Sequence, residues 1–195
     1  MPESGMASSF EEARVIAARI GYPVMVRPSF VLGGRGMEVV HDEEMLKEYV
    51  NKAVDLAPER PILIDRFLDN AIEAEADALA DGTDAFVPAV MEHIELAGIH
   101  SGDSACAIPP VTLPEKHIKT IEEYTLRISR ELKVCGVMNI QYAICQDVVY
   151  VLDAHPRASR TVPLVSKVCN IPLARIDTQL MGGTKLCDLQ LKRQT

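Results

Sequence analysis

The chain has 195 residues, 48% of them hydrophobic, which is enough to bury a substantial core in one globular unit of one or two lobes. Its formal net charge of −8 and its lack of tryptophan exclude a broad basic, aromatic-interleaved surface, so no nucleic-acid partner is expected. Apolar runs such as Val24 to Val26 and Val148 to Leu152 fall far short of the roughly 20 residues of a membrane span, so no membrane partner is expected either. The five cysteines are widely spaced without a CxxC pair, which argues against a zinc site or a disulfide framework and suits the reducing cytoplasm.

Met1 to Ala7 reads as a ragged end. Ser9-Phe10-Glu11-Glu12 reads as a capping box, and Ala13, Ile16, Ala17 and Ile20 recur at helical spacing up to a stop at Gly21. A strand Val24 to Arg27 should follow, then a glycine-rich turn, Gly33-Gly34-Arg35-Gly36, and a strand Met37 to His41. Asp42 is suited to cap a helix that buries Met45, Leu46, Tyr49, Val50 and Ala53 and ends at Pro58. A strand Ile62 to Leu68 comes next. In the strand after it, Glu73, Glu75 and Asp77 alternate with Ile72, Ala74, Ala76 and Ala78, placing three carboxylates on one sheet face. Asp81-Gly82 turns that strand back into Ala85 to Ile94.

Leu96 to Pro110 reads as a loop. Pro114 suits the first position of a long helix in which Ile118, Ile121, Thr125, Ile128 and Leu132 share a face and Gly136 lies just beyond the end. Strands Val137 to Cys145 and Val149 to Asp153 follow, and the last third is helical, with Pro172 opening a segment that ends at Gly182-Gly183. This order predicts an α+β chain with a mainly antiparallel sheet, flanking helices and two lobes, 1–69 and 70–195, joined near Arg66 to Glu73.

The last hairpin carries most of the chemistry. A two-residue turn at Gln146-Asp147 would put Gln141 and Asp153 on opposite faces, whereas a three-residue turn, Gln146 to Val148, sets them directly opposite one another. The apolar pattern selects the second, because Met138, Ile140, Tyr142, Ile144, Tyr150 and Leu152 then form one face. Asn139, Gln141, Asp153 and His155 line the other face, where a carboxamide oxygen, a carboxylate and an imidazole could hold a cation. The same pattern also describes an ordinary hairpin with polar residues outside. Two arginines, Arg157 and Arg160, follow at once. Magnesium shares oxygen ligands with substrate phosphates, and arginine's planar fork matches phosphate geometry, so this segment suits a site where cations and phosphates meet.

Other motifs are weaker. Gly33-Gly34-Arg35-Gly36 lacks the ending of a P-loop and reads either as a simple turn or as a hairpin that lays backbone N–H groups over phosphates. Among the five histidines there is no HExxH pair; His93 and His41 read as surface or packing residues, while His100 sits in the loop from Gly98 to Ser104. No Gly-x-Ser-x-Gly elbow supports a serine hydrolase.

Several stretches, in order, resemble the carbamoyl-phosphate synthase large subunit. They are Gly21-Tyr22-Pro23 through Arg27-Pro28-Ser29-Phe30-Val31-Leu32-Gly33-Gly34-Arg35, Met91 to Glu95, Gly98-Ile99-His100-Ser101-Gly102-Asp103-Ser104-Ala105-Cys106, and Pro156-Arg157-Ala158-Ser159-Arg160-Thr161-Val162-Pro163. The likeness is to the second, carbamate-phosphorylating ATP-grasp domain. It implies a partial ATP-grasp fold whose small lobe, 1–69, carries the glycine-rich loop and whose larger lobe, 70–195, carries the metal and phosphate site. ATP would bind between the lobes.

The resemblance further implies that Arg27 contacts phosphate, that Arg66 and Leu68 lie along the adenine and that Glu73 binds ribose. Gly98, Ile99, His100 and Ser101 would line the nucleotide pocket. Gln141 and Asp153 would hold Mg2+ or Mn2+, with His155 beside them, and Arg157 and Arg160 would neutralise the transferred phosphoryl group. The implied substrates are ATP and carbamate; the implied partners are the remainder of the large subunit and the glutaminase small subunit. Two positions depart from the family: Asp153 stands where it has glutamate and His155 where it has asparagine. The expectation is an excised domain that does not make carbamoyl phosphate from bicarbonate unaided, with a non-catalytic nucleotide-binding module as the alternative.

Overall fold

The computed structural model describes residues 1–29, 36–56, 61–97 and 104–192. The chain divides into two compact units, Met1–Asp69 and Asn70–Thr195. The first holds an antiparallel sheet in the order β1 (Ser4–Ala7), β4 (Ile62–Arg66), β2 (Val24–Pro28), β3 (Glu38–Val40), with helices α1 (Phe10–Ile20) and α2 (Glu43–Leu56).

The opening residues are therefore not ragged. Ser4 to Ala7 pair with Asp65 to Ile62, which gives the β4 edge a partner, and a side chain at Gly5 would collide with Ile16 at 2.8 Å, so glycine lets α1 lie close against this strand. Ser9 caps α1 by accepting the Glu12 N–H at 3.2 Å. Glu12 reaches back to the Ser8 N–H at 2.7 Å, one residue before the position a capping box specifies. Asp42 caps α2 through the Met45 N–H at 2.9 Å, and Leu46, Tyr49 and Val50 face the core as their spacing requires. Residues 33–35 of the glycine-rich turn lie outside the described residues. Gly36 is described; its φ is 71° and its carbonyl accepts the Tyr49 hydroxyl at 2.5 Å.

The second unit is a five-stranded antiparallel sheet in the order β7 (Cys106–Ala107), β6 (Ala85–Leu96), β5 (Ile72–Asp81), β8 (Cys135–Cys145), β9 (Val148–His155). The strand β7 falls inside the stretch read as loop. Helix α3 (Glu115–Glu131) belongs to the core on one face, built on Ala74, Ala76, Ala78, Met138, Ile140 and Tyr142. Helices α4 (Val162–Val168) and α5 (Leu173–Met181) form a second core with Leu79, Met91 and Val137. The central strand β5 is covered on both faces, so its polar residues are enclosed.

Helix α3 turns inward much of the face its apolar residues suggest, with Ile121 and Thr125 buried and Ile118 and Ile128 packed against the core, but that face is rotated towards His117 and Ser129 and leaves Leu132 out. Its buried row is His117, Ile121, Thr125 and Ser129, while Leu132 is 56% exposed. The row works because Thr125 and Ser129 return their hydroxyls to the carbonyls of Ile121 and Thr125 at 2.7 Å, and the Thr125 hydroxyl also meets the Tyr142 hydroxyl at 2.7 Å. Pro114 sits one residue earlier than expected, at the N-cap. Lys133, at φ 51°, takes the left-handed conformation after the helix, and Gly136 instead lies within β8 at φ 108°.

The β8–β9 hairpin reaches its predicted pairing by another route. The turn has two residues, Gln146 and Asp147, both at positive φ, with Cys145 opposite Val148. A bulge then lets Tyr142 face Val151 while Gln141 faces Asp153, making Leu152 the extra residue. Gln141 and Asp153 thus share a face, but Tyr150 and Leu152 leave the apolar side, which is filled by Val149, Val151 and Ala154. Among the described residues no helix is long and apolar enough to cross a membrane.

At Gly136 a Cβ would lie 2.5 Å from Asp177 Oδ1, in a backbone conformation that L side chains rarely adopt. That carboxylate also accepts the Val137 N–H at 2.7 Å, so it cannot withdraw without losing a bond. Gly136→Ala should lower stability by about 1–3 kcal/mol in urea unfolding. Gly183→Ala, also at positive φ but with no atom within 4 Å, should cost less; equal losses at the two positions would contradict this reading.

Candidate functional site

The site is built around the carboxylates of β5. Glu73, Glu75 and Asp77 point to one face and are only 6%, 3% and 1% exposed. Buried carboxylates are costly unless hydrogen-bonded, and β8 supplies donors from the positions directly across. Asn139, opposite Asp77, donates its amide to Asp77 Oδ1 at 3.0 Å and to Glu75 Oε2 at 3.3 Å; Gln141, opposite Glu75, donates to Glu75 Oε1 at 3.0 Å. Asp77 also accepts the Ser159 hydroxyl at 2.9 Å and the Thr161 hydroxyl at 2.7 Å. Burial nevertheless dominates at Asp77 and raises its pKa above the usual carboxylate value.

Glu75 behaves in the opposite way because an imidazole and two side-chain amides face it. Buried His93 places Nε2 3.6 Å from Glu75 Oε1, an ion-pair distance longer than a hydrogen bond, while its Nδ1 lies 2.9 Å from the Ser104 hydroxyl. Ser104 in turn donates to Glu95 Oε2 at 2.6 Å. Burial pushes Glu75 up, but His93, Gln141 and Asn139 together pull it down to about 2. Burial pushes His93 down, and the contact with Glu75 and the charges of Glu73, Glu75 and Glu95 raise it above its ordinary value. Ligand atoms of Glu73, Glu75 and His93 lie within 4.8 Å of one another, close enough to share a cation.

The expected metal ligands come together on β8 and β9. Gln141 lies opposite Asp153 and Asn139 opposite His155, and His155 Nε2 sits 3.3 Å from Asp153 Oδ2. The Asp153 side chain is 58% exposed and that of His155 31%, so both are accessible to an ion. A carboxamide whose nitrogen is engaged by Glu75, an exposed carboxylate and an imidazole fit a divalent cation that tolerates one nitrogen donor.

Arg157 and Arg160 are exposed on the turn that joins β9 to α4. Arg157 donates from Nη1 to the Ala158 carbonyl at 3.0 Å and from its backbone N–H to the His155 carbonyl at 2.8 Å. In the first unit, Arg27 on β2 binds Asp65 on β4, Nε to Oδ2, at 3.0 Å. Arg66 is exposed and gives its backbone N–H to the Glu3 carbonyl at 2.8 Å, and Leu68 is half-buried beyond the strand. Gly98, Ile99, His100 and Ser101 lie outside the described residues.

Sequence reasoning missed His93, Asp65, Ser159 and Thr161. His93 was read as a surface or packing residue, yet it shares strand parity with Met91, which pairs with Glu75. That parity was the available signal, and it needs the β5–β6 register to be used.

The opposed shifts of Glu75 and His93 set a pH window. The lowered Glu75 contributes stability above its ordinary pKa of 4.5 and loses it as pH falls towards 2. The raised His93 contributes stability below 6.5 and loses it as pH rises through its folded pKa. The difference in melting temperature between the natural chain and His93→Gln should be largest between pH 4.5 and 6.5 and shrink at higher pH. A gap that widens with rising pH would contradict the ion pair.

The family profile described as "Carbamoyl-phosphate synthase L chain, ATP binding domain" matches residues 1–189. The carbamoyl phosphate synthase large chain of Methanothermobacter thermautotrophicus is 58% identical over 193 residues, covering 97% of this chain and 18% of that protein. The one from Archaeoglobus fulgidus is 57% identical over 193 residues, covering 99% of this chain and 18% of that protein. The chain therefore spans under a fifth of the length of these relatives. Among solved structures, the biotin carboxylase domain of Hydrogenobacter thermophilus 2-oxoglutarate carboxylase, in complex with MgADP, ADP and bicarbonate, superposes with a TM-score of 0.77 at 19% identity, over 99% of this chain and 44% of that one. A Campylobacter jejuni biotin carboxylase–βγ-ATP complex gives 0.78 at 18% identity, over 95% and 44%. These likenesses establish the ATP-grasp fold, α+β with antiparallel sheets and flanking helices. The chain belongs to the carbamoyl-phosphate synthase large-chain ATP-binding domain family.

Proposed function

We propose that this chain binds ATP with Mg2+ or Mn2+ and phosphorylates carbamate to carbamoyl phosphate, as the carboxy-terminal of the two ATP-grasp domains of a synthase large chain. The observation that carries the reading is the β8–β9 face, where Gln141 opposes Asp153, His155 adjoins it and the Arg157–Arg160 turn follows directly. The sequence from Gly98 to Cys106 and the Arg160-Thr161-Val162-Pro163 run support the carbamate step over the bicarbonate step. The partners in this reading are the remainder of the large chain and the glutaminase small subunit, in the cytoplasm.

In this reading a carbamate oxygen attacks the γ-phosphorus, its bond to the β–γ bridging oxygen breaks, and ADP leaves with the electron pair. Arg157 and Arg160 stabilise the charge on the transferred group, and Arg27, held by Asp65, binds phosphate. Arg66 and Leu68 accompany the adenine, Glu73 the ribose, and Gly98, Ile99, His100 and Ser101 the nucleotide. Gln141, Asp153 and His155 hold the cation, which when bound neutralises phosphate charge. The residues of 1–69 serve as the small lobe and those of 70–195 as the large one. A second reading, a nucleotide-binding module without turnover, draws on the 3.3 Å Asp153–His155 contact, which can compete with a cation for the same carboxylate.

Arg27→Ala and Arg157→Ala should each weaken ATP binding by about 1.5–3 kcal/mol in calorimetry, the range for hydrogen bonds to charged groups. Unchanged affinity in both would sink the assignment. Carbamate-dependent ADP release, from the chain alone or supplemented with the remainder of a related large chain, supports the phosphoryl transfer; ATP binding without carbamate-dependent release supports the second reading.

The cation preference gives a separate test. Imidazole suits Mn2+ better than Mg2+, and aspartate is one methylene shorter than glutamate. The natural chain should favour Mn2+ when ATP binding is titrated with each ion, and Asp153→Glu with His155→Asn should restore preference for Mg2+. If both proteins prefer Mg2+ equally, the ligand argument fails.

A further inference from the structure

We infer that Asp77 is a positioning residue, which from inside the sheet fixes the turn carrying Arg157 and Arg160 in the geometry that receives the terminal phosphate. The inference rests on the ATP reading above. At 1% exposure Asp77 touches no ligand itself, so it acts through the groups that hold on to it.

Those groups bracket Arg160. Ser159 on one side gives its hydroxyl to Oδ1 at 2.9 Å, and Thr161 on the other gives its hydroxyl to Oδ2 at 2.7 Å. The two hydroxyl oxygens lie 2.5 Å apart, and the Thr161 N–H donates to Ser159 Oγ at 3.2 Å. The residue between them therefore has its backbone fixed from both ends by one buried carboxylate. An arginine on so restrained a backbone loses less freedom when it meets a phosphate than one on a loose loop.

A second observation sets this arrangement apart from ordinary helix anchoring. Thr161 occupies the N-cap of α4, where a threonine hydroxyl usually accepts a helix N–H, but its side chain makes no capping bond. The hydroxyl points back to Asp77 instead. The same carboxylate accepts from Asn139, whose amide also reaches Glu75, and Glu75 binds the Gln141 amide. One buried chain of bonds thus links the arginine turn to the carboxamide assigned to the cation.

The test compares ATP with ADP, both with Mg2+, by calorimetry on the natural chain, Asp77→Asn and Thr161→Val. A positioned arginine turn acts on the terminal phosphate, so the variants should lose tenfold or more in ATP affinity and less than threefold in ADP affinity. Arg160→Ala added to Asp77→Asn should cause little further loss, since both changes remove one effect. Unchanged ATP affinity, or equal loss for both nucleotides, overturns the inference in favour of a purely structural role. If Asp77→Asn does not fold, Thr161→Val, which leaves Ser159 and Asn139 on the carboxylate, decides alone. A natural chain that binds neither nucleotide overturns the ATP reading itself, and this inference with it.

Discussion

Glu73, Glu75 and Asp77 are enclosed on one face of β5, and each has to be satisfied without water. An unpaired carboxylate in such a place would be protonated or would destabilise the sheet. Neighbouring strands answer with side chains at fixed register: Asn139 across from Asp77, Gln141 across from Glu75, and His93 against Glu75 from β6. The alternation that places acids on this face places Ala74, Ala76 and Ala78 on the other, where α3 contributes to the core. A one-residue slip in β5 would bury alanines among amides and drive the acids into the core beside α3. Register and polar satisfaction therefore fix one another.

The same network governs what lies at the surface. Gln141 belongs both to the buried lattice, through its amide nitrogen, and to the face shared with Asp153 and His155. Ser159 and Thr161 link the lattice to the exposed arginines. A cation or phosphate at this face would meet groups whose neighbours are already ordered, the condition for strong electrostatic stabilisation without reorganisation.

Much of this was legible in the sequence, for reasons that also show where reading stops. The capping residues Ser9 and Asp42 act within one helical turn, so their roles were readable. Apolar alternation set the face of Gln141, because Ile140 and Tyr142 are buried, but it paired Gln141 with Asp153 only by way of a three-residue turn that wrongly put Tyr150 and Leu152 on the apolar face. It could not give the turn length, since a two-residue turn with a bulge and a three-residue turn restore the same pairing; only the positions of Tyr150 and Leu152 tell them apart. Ser4 to Ala7 was missed because its pairing with β4 spans more than fifty residues of sequence. His93 was missed for a related reason, as its ion pair depends on the register of β5 against β6. Thr125 was legible from its spacing with Ile121, whereas the burial of Ser129 was hidden because polar residues rarely signal a core face; here both hydroxyls bond back to their own helix.

The central claim is that a nucleotide-bound cation sits on the face formed by Gln141, Asp153 and His155. Titrating the isotopically labelled chain with ATP and substoichiometric Mn2+, while following nuclear magnetic resonance signals, tests this directly, because the paramagnetic ion broadens nearby resonances. The account predicts selective loss of the Gln141 side-chain amide and the His155 imidazole signals, with Gln179 on the exposed side of α5 unaffected. Broadening centred elsewhere, or none at Gln141 and His155 when ATP is bound, would contradict it.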